Sequence, residues 1–332
     1  MEYVKLGRTG LSISPLVLGT ANFSWVTDEA EGFAIMDRAL EHGINFIDTS
    51  GNYNSGRSEE MIGRWLAQGG GRREQIVLAS KVYLPPHEYD AKDADKRWGS
   101  WVGPNDKGLS AKHIRAAIEA SLKRLQTDHL DLYQCHHIDR SVRWEELWQA
   151  MDLLVQQGKI IYVGSSNFAG WHIARGQSIA EQRGSLGFAC EQSYYNLAKR
   201  DIELEVAPAC QELGLGLITY SPLGSGLLAG KAPESETGRR SSRPSIMKMG
   251  NAEQIEKYHK LCESLGEAPA DVALAWVCHQ PHVTAPIIGP RTLEQLEKTV
   301  RTLDITLDDA TLKALDEIFP GPGGPAPEAY AW

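Results

Sequence analysis

The chain has 332 residues, of which 42% are hydrophobic and 23% charged, a composition that is ordinary for a soluble globular protein. Its 34 lysine and arginine residues stand against 43 aspartate and glutamate residues, and the resulting net charge of −9 argues against general nucleic-acid binding. No apolar run approaches the roughly 20 residues of a membrane span, no signal-peptide layout is present, and the five cysteines form no CxxC pair, which together favour a reduced, cytoplasmic protein.

After an N-terminal segment, residues 3–14, which we predict to be a β-hairpin, one unit recurs: a short apolar run, a polar loop and an amphipathic stretch. The apolar runs predict strands at residues 15–20, 44–49, 76–81, 130–136, 160–164, 187–192, 215–220 and 283–289. The amphipathic stretches predict helices from Asp28, from near Ser58, after Ser110, over 144–157, 171–182 and 201–213, after about residue 250, and from Thr292. Long loops, 82–109 and about 221–250, follow the third and seventh strands.

Local sequence supports the helix boundaries. Asp28 and Glu31 are spaced as a capping pair at the first helix, and Ser110 is a good N-cap for the third. Gly43, Gly158 and Gly214 follow the last apolar positions of three helices, where glycine commonly ends a helix.

Strict alternation of strands and helices predicts parallel strands, because each strand needs a crossover before the next. Eight such units close naturally into an α/β fold of the (β/α)8 TIM-barrel class, with the hairpin at the bottom of the barrel. We expect a single barrel domain over residues 1–332, in which 319–332 form an irregular C-terminal tail rich in proline and glycine. A doubly wound sheet with an added domain is the competing architecture, but no shift in composition marks a second domain.

Active sites of such barrels lie at the C-terminal ends of the strands. Those ends carry, in order, Asp48 with Tyr53 just beyond it, Lys81 and His136. A phenol is a poor proton donor at neutral pH, and a nearby lysine ammonium lowers a phenol's pKa by stabilising the phenolate. An aspartate beside that lysine keeps it charged and fixed, and a histidine can orient a substrate oxygen. The set indicates protonation of an oxyanion formed by attack of a nucleophile or hydride on a carbonyl.

The motifs at the strand ends resemble those of the aldo-keto reductase superfamily, in particular the bacterial branch related to potassium-channel β subunits. The signature pair is Asp48-Thr-Ser-Gly-Asn-Tyr53 followed by Ser58-Glu-Glu-Met-Ile-Gly63. Further matches are Ala79-Ser-Lys81-Val, Asp131-Leu-Tyr-Gln-Cys-His136, Val163-Gly-Ser-Ser-Asn-Phe168, Glu191-Gln-Ser-Tyr-Tyr-Asn196, Ile218-Thr-Tyr-Ser-Pro-Leu-Gly224 and Ile288-Gly-Pro-Arg291. They occur in family order from about residue 4 to 318, and although each is weak alone, eight in order are specific.

The resemblance implies an NADPH/NADP+-dependent oxidoreductase that reduces an aldehyde or ketone. Carried over by position, Tyr53 is the general acid and Lys81 is the cation that adjusts its acidity. Asp48 is the partner of Lys81, and His136 is the group that orients the substrate. For the cofactor, the resemblance assigns the carboxamide to Ser166, Asn167 and Gln192, the nicotinamide face to Tyr220, the pyrophosphate to Ser221, Leu223, Ser225 and Lys231, and the 2′-phosphate to Arg291. It also places Gly19, Thr20, Asp48, Gly226, Gly289 and Gln295 at the cofactor.

The chain departs from the family pattern at both ends of the site. Thr299, preceded by Lys298, stands where relatives carry a glutamate–asparagine pair at the adenine. His137 stands where many relatives carry tryptophan or arginine. We assign Trp25, Tyr83 and His137 to a substrate pocket for a small-molecule carbonyl and, by analogy, extend this to a sugar or deoxysugar carbonyl. We expect neither nucleic acid nor membrane as a partner, and an oligomer stays open.

Two other functions remain open at this point. The superfamily includes potassium-channel β subunits, so a slow barrel that senses its cofactor while bound to a partner is one alternative. A metal-dependent barrel hydrolase using His136, Asp139 and Asp48 is another, although neighbouring residues on a strand point to opposite faces and seldom share a metal. Asp48 and Lys81 also have a purely structural interpretation, as an ion pair within the barrel.

Overall fold

The computed structural model describes residues 1–85, 103–230 and 252–330. Eight parallel strands form a closed barrel in which each strand pairs with its neighbours in chain order and the last pairs with the first. The prediction of a (β/α)8 barrel is therefore confirmed. The barrel strands are β3 Val17–Gly19, β4 Phe46–Asp48, β5 Val77–Val82, β6 Leu130–Cys135, β7 Ile160–Ser166, β8 Phe188–Tyr194, β9 Gly216–Tyr220 and β10 Ala285–Ile288.

A two-stranded antiparallel hairpin, β1 Val4–Lys5 and β2 Ser12–Ile13, precedes the barrel, as predicted. Leu6 and Ile13 of this hairpin are fully buried in one cluster with inward-facing barrel residues such as Phe46 and Leu132. The backbone N–H of Arg8 donates to the carbonyl oxygen of Gly214, just before β9, at 2.7 Å. The hairpin thus closes the N-terminal end of the barrel and leaves the opposite end open.

Helices surround the barrel, and within the described residues they are α1 Glu29–Glu41, α2 Arg57–Leu66, α3 Ala111–Leu125, α4 Trp144–Gln156, α5 Gly170–Gln182, α6 Val206–Leu213, α7 Ala252–Leu265, α8 Pro269–Cys278, α9 Leu293–Arg301 and α10 Asp309–Ile318. The predicted caps are in place: Asp28 and Ser110 accept from the backbone N–H three residues on, and Thr292 caps the start of α9 in the same way. Glu31 does not complete a capping box. Its carboxylate instead accepts from the backbone N–H of Leu293 at 2.5 Å and so joins α1 to the start of α9.

One helix boundary differs from the prediction. Residues 201–203 form a separate 3-10 turn, and α6 begins only at Val206. Pro208 explains the difference, because a proline ring clashes with the carbonyl four residues earlier and is tolerated only in the first helical turn. The helix therefore cannot extend back from Val206, although the apolar spacing continues.

The remaining predicted segments lie partly outside the described residues. Of the loop 82–109 the structure describes 82–85 and 103–109, and of the loop 221–250 it describes 221–230. In the tail, a 3-10 turn spans Glu328–Tyr330, and the N–H of Ala326 donates to the carbonyl oxygen of Leu204. No helix of the described residues is both long and apolar enough to cross a membrane.

The period of two along each strand decides which side chains enter the barrel. On β4, Phe46 points into the barrel and Ile47 outward, where it packs under the helices. The same alternation puts Asp48, Lys81 and Gln134 in the last inward-facing layer, at the open C-terminal end. Apolar residues fill the layers below. The polar layer therefore forms the floor of any binding site at this end of the barrel.

Candidate active site

A cavity of about 740 Å³ opens above this polar floor and extends between the loops that follow β3, β9 and β10. Gly19 lines this cavity and has no room for a side chain, because a Cβ there would lie 2.4 Å from the Cγ2 of Ile287. Ligand pockets commonly span about 300–1,000 Å³, and this cavity is in the upper half of that range. It therefore has room for a molecule larger than a simple carbonyl compound.

A buried ion pair lies at the floor. The Nζ of Lys81 donates to the Oδ2 of Asp48 at 2.5 Å and to the carbonyl oxygen of Thr49 at 2.9 Å. It also donates to the Oη of Tyr53 at 3.3 Å. Burial alone would lower the pKa of Lys81, but the Asp48 carboxylate and the Tyr53 hydroxyl outweigh it and raise the pKa above its ordinary value. Lys81 is therefore an ammonium ion that points one hydrogen at the phenol.

Two amides hold the other carboxylate oxygen of Asp48. The Nε2 of Gln134 and the Nε2 of Gln192 donate to Asp48 Oδ1 at 3.0 and 2.9 Å. Gln192 also donates to Gln134 Oε1 at 3.1 Å. Oδ1 thus accepts two hydrogen bonds and Oδ2 accepts one from Lys81, which fixes the carboxylate in place. Gln134 was missed in the sequence, although its position two residues before His136 on the same face of β6 would have revealed it.

The loop that carries Tyr53 is constrained on both sides. Asn54, Ser55 and Gly56 have φ values of 48°, 61° and 87°, in the left-handed region. The amide of Asn54 donates to the carbonyl oxygen of Phe23 at 2.5 Å. Strain of this kind persists only where surrounding contacts enforce it, and it turns the chain sharply after Tyr53 so that the phenol stays over Lys81.

Helix α2, which follows this loop, provides a second set of contacts that hold the loop in place. Glu59 is fully buried and accepts from the Oγ of Ser80 and from the Nε of Arg124 at 2.5 and 2.7 Å. The Arg124 side chain runs beside Gly56, where a Cβ would lie 2.8 Å from its Cδ. The glutamate of the Ser58-Glu-Glu motif therefore acts as a structural anchor between α2, β5 and α3.

His136 lies beside Tyr53, with the ring centroids 6.1 Å apart and the planes nearly perpendicular. Burial, the charge of Lys81 and the neighbouring His137 hold the pKa of His136 well below its ordinary value. The imidazole is therefore neutral at physiological pH. The ring of His137 stacks on it at 5.2 Å, and Tyr83 packs edge-on against His137 at 5.5 Å.

Three polar residues meet at the ends of β7 and β9. Asn167 has φ +59°, its Nδ2 donates to the Oγ of Ser166 at 2.9 Å, and its Oδ1 accepts from the Oη of Tyr220 at 2.8 Å. Asn167 Nδ2 also donates to the carbonyl oxygen of His136 at 3.1 Å. The three side chains line the same part of the cavity as Gln192.

A buried carboxyl group supports this turn from below. Glu191 accepts from the N–H of Phe168 at 3.1 Å and from the hydroxyls of Ser165 and Ser193 at 2.5 and 2.8 Å. Burial raises the pKa of Glu191 to about 7, although these donors oppose the shift. Its role was not predicted from the sequence, because nothing in one strand shows that residue 191 packs outward onto residues 165–168.

We expect Glu191 to make stability depend on pH. Its pKa is about 7 in the folded chain against an ordinary value of 4.5, so the folded state holds more protons between these values. Stability therefore falls as pH rises from about 4.5 to about 7, by up to about 3 kcal/mol for this group. Urea unfolding of wild type and Glu191→Gln at pH 5 and pH 8 measures this pH dependence. The difference in the free energy of unfolding between the two proteins should shrink or reverse with rising pH. A difference that does not change with pH would contradict the role assigned to Glu191.

The far end of the cavity is lined by small, polar and basic residues. Ser221 and Ser225 have φ values of 57°, and both line the cavity together with Leu223 and Gly226. The N–H of Arg291 donates to the Oε1 of Gln295 at 2.9 Å, while its guanidinium has no ion pair or hydrogen bond with any described residue. Lys298 also lines this end but is paired with Glu294 at 2.6 Å.

The structure brings most of the predicted site residues together. Around this one cavity lie Gly19, Thr20, Asp48, Tyr53, His136, His137, Ser166, Asn167, Gln192, Tyr220, Ser221, Leu223, Ser225, Gly226, Gly289, Arg291 and Gln295. Lys81 lies beneath it, and Lys231 falls outside the described residues. Trp25 and Tyr83 are not among the residues that line it: Trp25 is half exposed, and Tyr83 packs edge-on against His137. Asn22, at the cavity wall and bonded to the carbonyl oxygen of Gly289, was not predicted.

The ligand set of the metal-hydrolase alternative does not assemble. Asp139 accepts from the N–H groups of Leu109 and Ser141 rather than turning toward His136. Among residues 1–85, 103–230 and 252–330, no three His, Cys, Asp or Glu side chains are grouped to hold a metal ion.

Fold and site define a (β/α)8-barrel protein with a large cleft, polar at its floor, at the C-terminal ends of its strands. The chain belongs to the aldo/keto reductase family, whose model matches residues 15–319. The resemblance seen in the motifs is confirmed, and the family and its oxidoreductase members identify the chain as an oxidoreductase.

Several relatives match over nearly their whole length. An uncharacterized oxidoreductase, YrpG of Bacillus subtilis, is 52% identical over 100% of both chains. A probable voltage-gated potassium channel subunit beta of Arabidopsis thaliana is 32% identical over 92% of each chain. Versiconal hemiacetal acetate reductase of Aspergillus parasiticus is 31% identical over 96% of this chain and 97% of the relative.

Proposed function

We propose that the protein is an NADPH-dependent reductase of aldehydes or ketones. The observation that carries the proposal is the contact of the Lys81 ammonium with the Tyr53 hydroxyl at the floor of the cavity, with Asp48 and its two glutamines fixing the lysine. The Lys81 ammonium is in place to stabilise the phenolate that remains when Tyr53 gives its proton to an oxyanion.

The chain's own residues provide the proton chemistry. The carbonyl oxygen of the substrate lies against Tyr53 and His136, which orient it over the floor. As negative charge develops on that oxygen, Tyr53 donates its proton and the Lys81 ammonium stabilises the phenolate that forms. Asp48 keeps Lys81 charged and in position throughout. Bound reduced nicotinamide supplies the hydride for the carbonyl carbon.

The residues around the cavity suit a nicotinamide dinucleotide. Ser166, Asn167 and Gln192 offer polar atoms for a carboxamide next to the Tyr220 ring, and the Nε2 of Gln192 is already engaged, so its Oε1 is the atom left to accept. Ser221, Leu223 and Ser225, with Lys231, would hold the pyrophosphate. Arg291 brings a guanidinium with no described partner to the far end, which suits the 2′-phosphate of NADPH.

Replacement of Arg291 by alanine should weaken NADPH binding selectively. Loss of a charge-assisted contact to phosphate costs about 1.5–3 kcal/mol, so we expect the Kd for NADPH to rise about 10- to 100-fold with little change for NADH. Tryptophan fluorescence titration with each cofactor measures this. Lys298→Ala is the matched control, because that cation lines the same end of the cavity but is neutralised by Glu294. Equal losses for NADH and NADPH would contradict the assignment of Arg291.

The proposed function is tested first by titrating the purified protein with NADPH and with NADH, and then by following NADPH oxidation with a panel of carbonyls. The panel should contain aliphatic and aromatic aldehydes, ketones, and sugars and deoxysugars, since we extend the proposal to a sugar carbonyl by analogy only. Binding of NADPH with turnover of at least one class is the expected result. Failure to bind either cofactor would overturn the proposal.

The similarity to a channel β subunit keeps a second candidate, a slow subunit that senses cofactor while bound to a partner protein. Tight NADPH binding with hardly any turnover across the whole panel, together with a stable tetramer, would favour it. Brisk turnover of any carbonyl favours the reductase.

A further inference from the structure

Ser166 and Asn167 reach the cavity from a turn that one buried side chain holds at both ends. Asn167 has φ +59°, a left-handed conformation that persists in a residue with a side chain only where its surroundings enforce it. Glu191 is fully buried beside this turn, and the N–H of Phe168 donates to its Oε1 at 3.1 Å. The hydroxyl of Ser165 donates to its Oε2. Glu191 thus fixes the residues just before and just after the pair that lines the cavity.

The surroundings of Glu191 accommodate the carboxylate and the carboxylic acid alike. The carboxylate accepts from the hydroxyls of Ser165 and Ser193 and from the N–H of Phe168. The acid has one hydrogen to donate, and since an N–H offers no lone pair, a hydroxyl oxygen must accept it. Ser165 can do so, because its own hydrogen then turns to the carbonyl oxygen of Cys190, 3.4 Å from its Oγ.

The other titratable groups packed around this turn are neutral near pH 7. Burial raises the pKa of three thiols that face Glu191 from β6, β8 and α6, those of Cys135, Cys190 and Cys210. On α5, the ring of His172 packs against that of Phe168, and burial together with the charge of Arg140 lowers the pKa of His172. Glu191, whose pKa burial raises to about 7, is therefore the group that changes charge beneath the turn at neutral pH.

The two forms of Glu191 hold the turn with different strength. A hydrogen bond to an ionised acceptor is roughly twice as strong as one between neutral groups. Loss of the negative charge therefore weakens the bond from the Phe168 N–H, and it reverses the bond to Ser165. The strained backbone of Asn167 is held more firmly by the carboxylate than by the acid.

We propose that Glu191 is a positioning residue for the nicotinamide end of the cofactor: its carboxylate holds residues 165–168 in the geometry in which Ser166 and Asn167 bind the carboxamide, and uptake of a proton by Glu191 weakens that binding. The proposal rests on the proposed function for the identity of the ligand. The effect of the proton on the turn does not depend on it.

The affinity for NADPH should rise between pH 6 and pH 8, since Glu191 is mostly the acid at the lower pH and mostly the carboxylate at the higher one. Tryptophan fluorescence titration measures the Kd. The control ligand is 2′-phospho-ADP-ribose, which keeps the pyrophosphate and the 2′-phosphate but lacks the nicotinamide. Effects of pH on the shared phosphates cancel in the ratio of the Kd of NADPH to that of the control ligand. We expect this ratio to fall about 3- to 10-fold from pH 6 to pH 8.

Glu191→Gln imitates the acid at every pH. Its amide oxygen can accept from the N–H of Phe168, and its NH2 group can donate to Ser165. The ratio of the two Kd values should therefore be independent of pH in this variant and close to the wild-type ratio at pH 6. Glu146→Gln is the control, because Glu146 also accepts from a backbone N–H, that of Ala111 at 3.0 Å, but at the start of α3. Glu146→Gln should keep the wild-type pH dependence.

The turn itself is observed by NMR of the cofactor-free protein labelled with 15N at phenylalanine. The chain has 6 phenylalanines, so the spectrum contains few backbone amide signals. The amide proton of Phe168 should shift with pH in wild type, with a midpoint near 7, and should not do so in Glu191→Gln. The loss of this titration in the variant also assigns the signal.

The outcomes separate this proposal from the proposed function. A wild-type ratio that does not change with pH, or a change that Glu191→Gln retains, overturns the control of carboxamide binding by Glu191. The absence of a phenylalanine amide that titrates near pH 7 overturns the effect on the turn. If neither ligand binds at any pH while the Phe168 amide titrates as expected, the proposed function and the carboxamide as ligand fail, and the hold of Glu191 on the turn is supported.

Discussion

Tyr53→Phe is expected to lower kcat by about 10²- to 10⁴-fold, the usual contribution of a positioned general acid. The change removes one oxygen, the atom 3.3 Å from Lys81 Nζ, and leaves the ring edge against His136. Because the phenol is offered to the substrate oxygen, the Kd for NADPH should stay within about 2-fold. Steady-state kinetics with the best carbonyl of the panel, combined with fluorescence titration of NADPH, measures both quantities.

The control is Tyr162→Phe, which removes a phenolic hydroxyl elsewhere in the barrel. Tyr162, on β7, packs against the apolar interior cluster and pairs with Leu132, one layer below the floor residue Gln134. We expect Tyr162→Phe to retain kcat within about 3-fold. Turnover of Tyr53→Phe comparable with that of Tyr162→Phe would remove Tyr53 from the mechanism, and the proton would have to come from His136 or from water.

Much of the site was predictable because barrel geometry converts sequence order into position. An apolar run ends where its strand ends, so Asp48, Lys81 and His136 were placed at the open end of the barrel from run boundaries alone. Alternation along the strands then put Asp48 and Lys81 on the inward face. Tyr53 is different: it lies beyond the strand, where no period fixes the direction of its side chain, and it was singled out by its place just after Asp48 and by the motif resemblance.

What the sequence did not show are contacts between distant segments that no local pattern encodes. Asp28 and Glu31 have the spacing of a capping box, but a carboxylate has two oxygens and many possible donors, and Glu31 bonds to Leu293, which is 262 residues away. Glu191 and Ser165 meet only because β7 and β8 pair in one particular register. Such partners are set by tertiary packing, which outweighs local propensity.

Replacement of Lys81 by methionine should affect activity and stability together. Its side chain is fully buried, and that of Asp48 is 2% exposed. Removing one partner of a buried ion pair leaves the other charge uncompensated and typically costs about 3–5 kcal/mol. Gln134 and Gln192 still donate to Asp48, so we expect the lower end of this range in urea unfolding. Activity should fall at least as far as in Tyr53→Phe, since the phenolate loses its cation.

The double variant Asp48→Asn with Lys81→Met separates the two roles of the pair. An asparagine keeps the shape of Asp48 and removes the negative charge that is left without a partner in Lys81→Met. The double variant should therefore regain about 1–3 kcal/mol of the stability lost in Lys81→Met. Activity should not return, because no cation remains beside Tyr53. If instead turnover recovers together with stability, the pair is a structural element of the barrel only, and the contact of 3.3 Å between Lys81 and Tyr53 has no part in the chemistry. Recovery of stability without turnover is the result that the geometry of the floor predicts, since the Asp48 carboxylate holds the lysine and the lysine donates to the phenol.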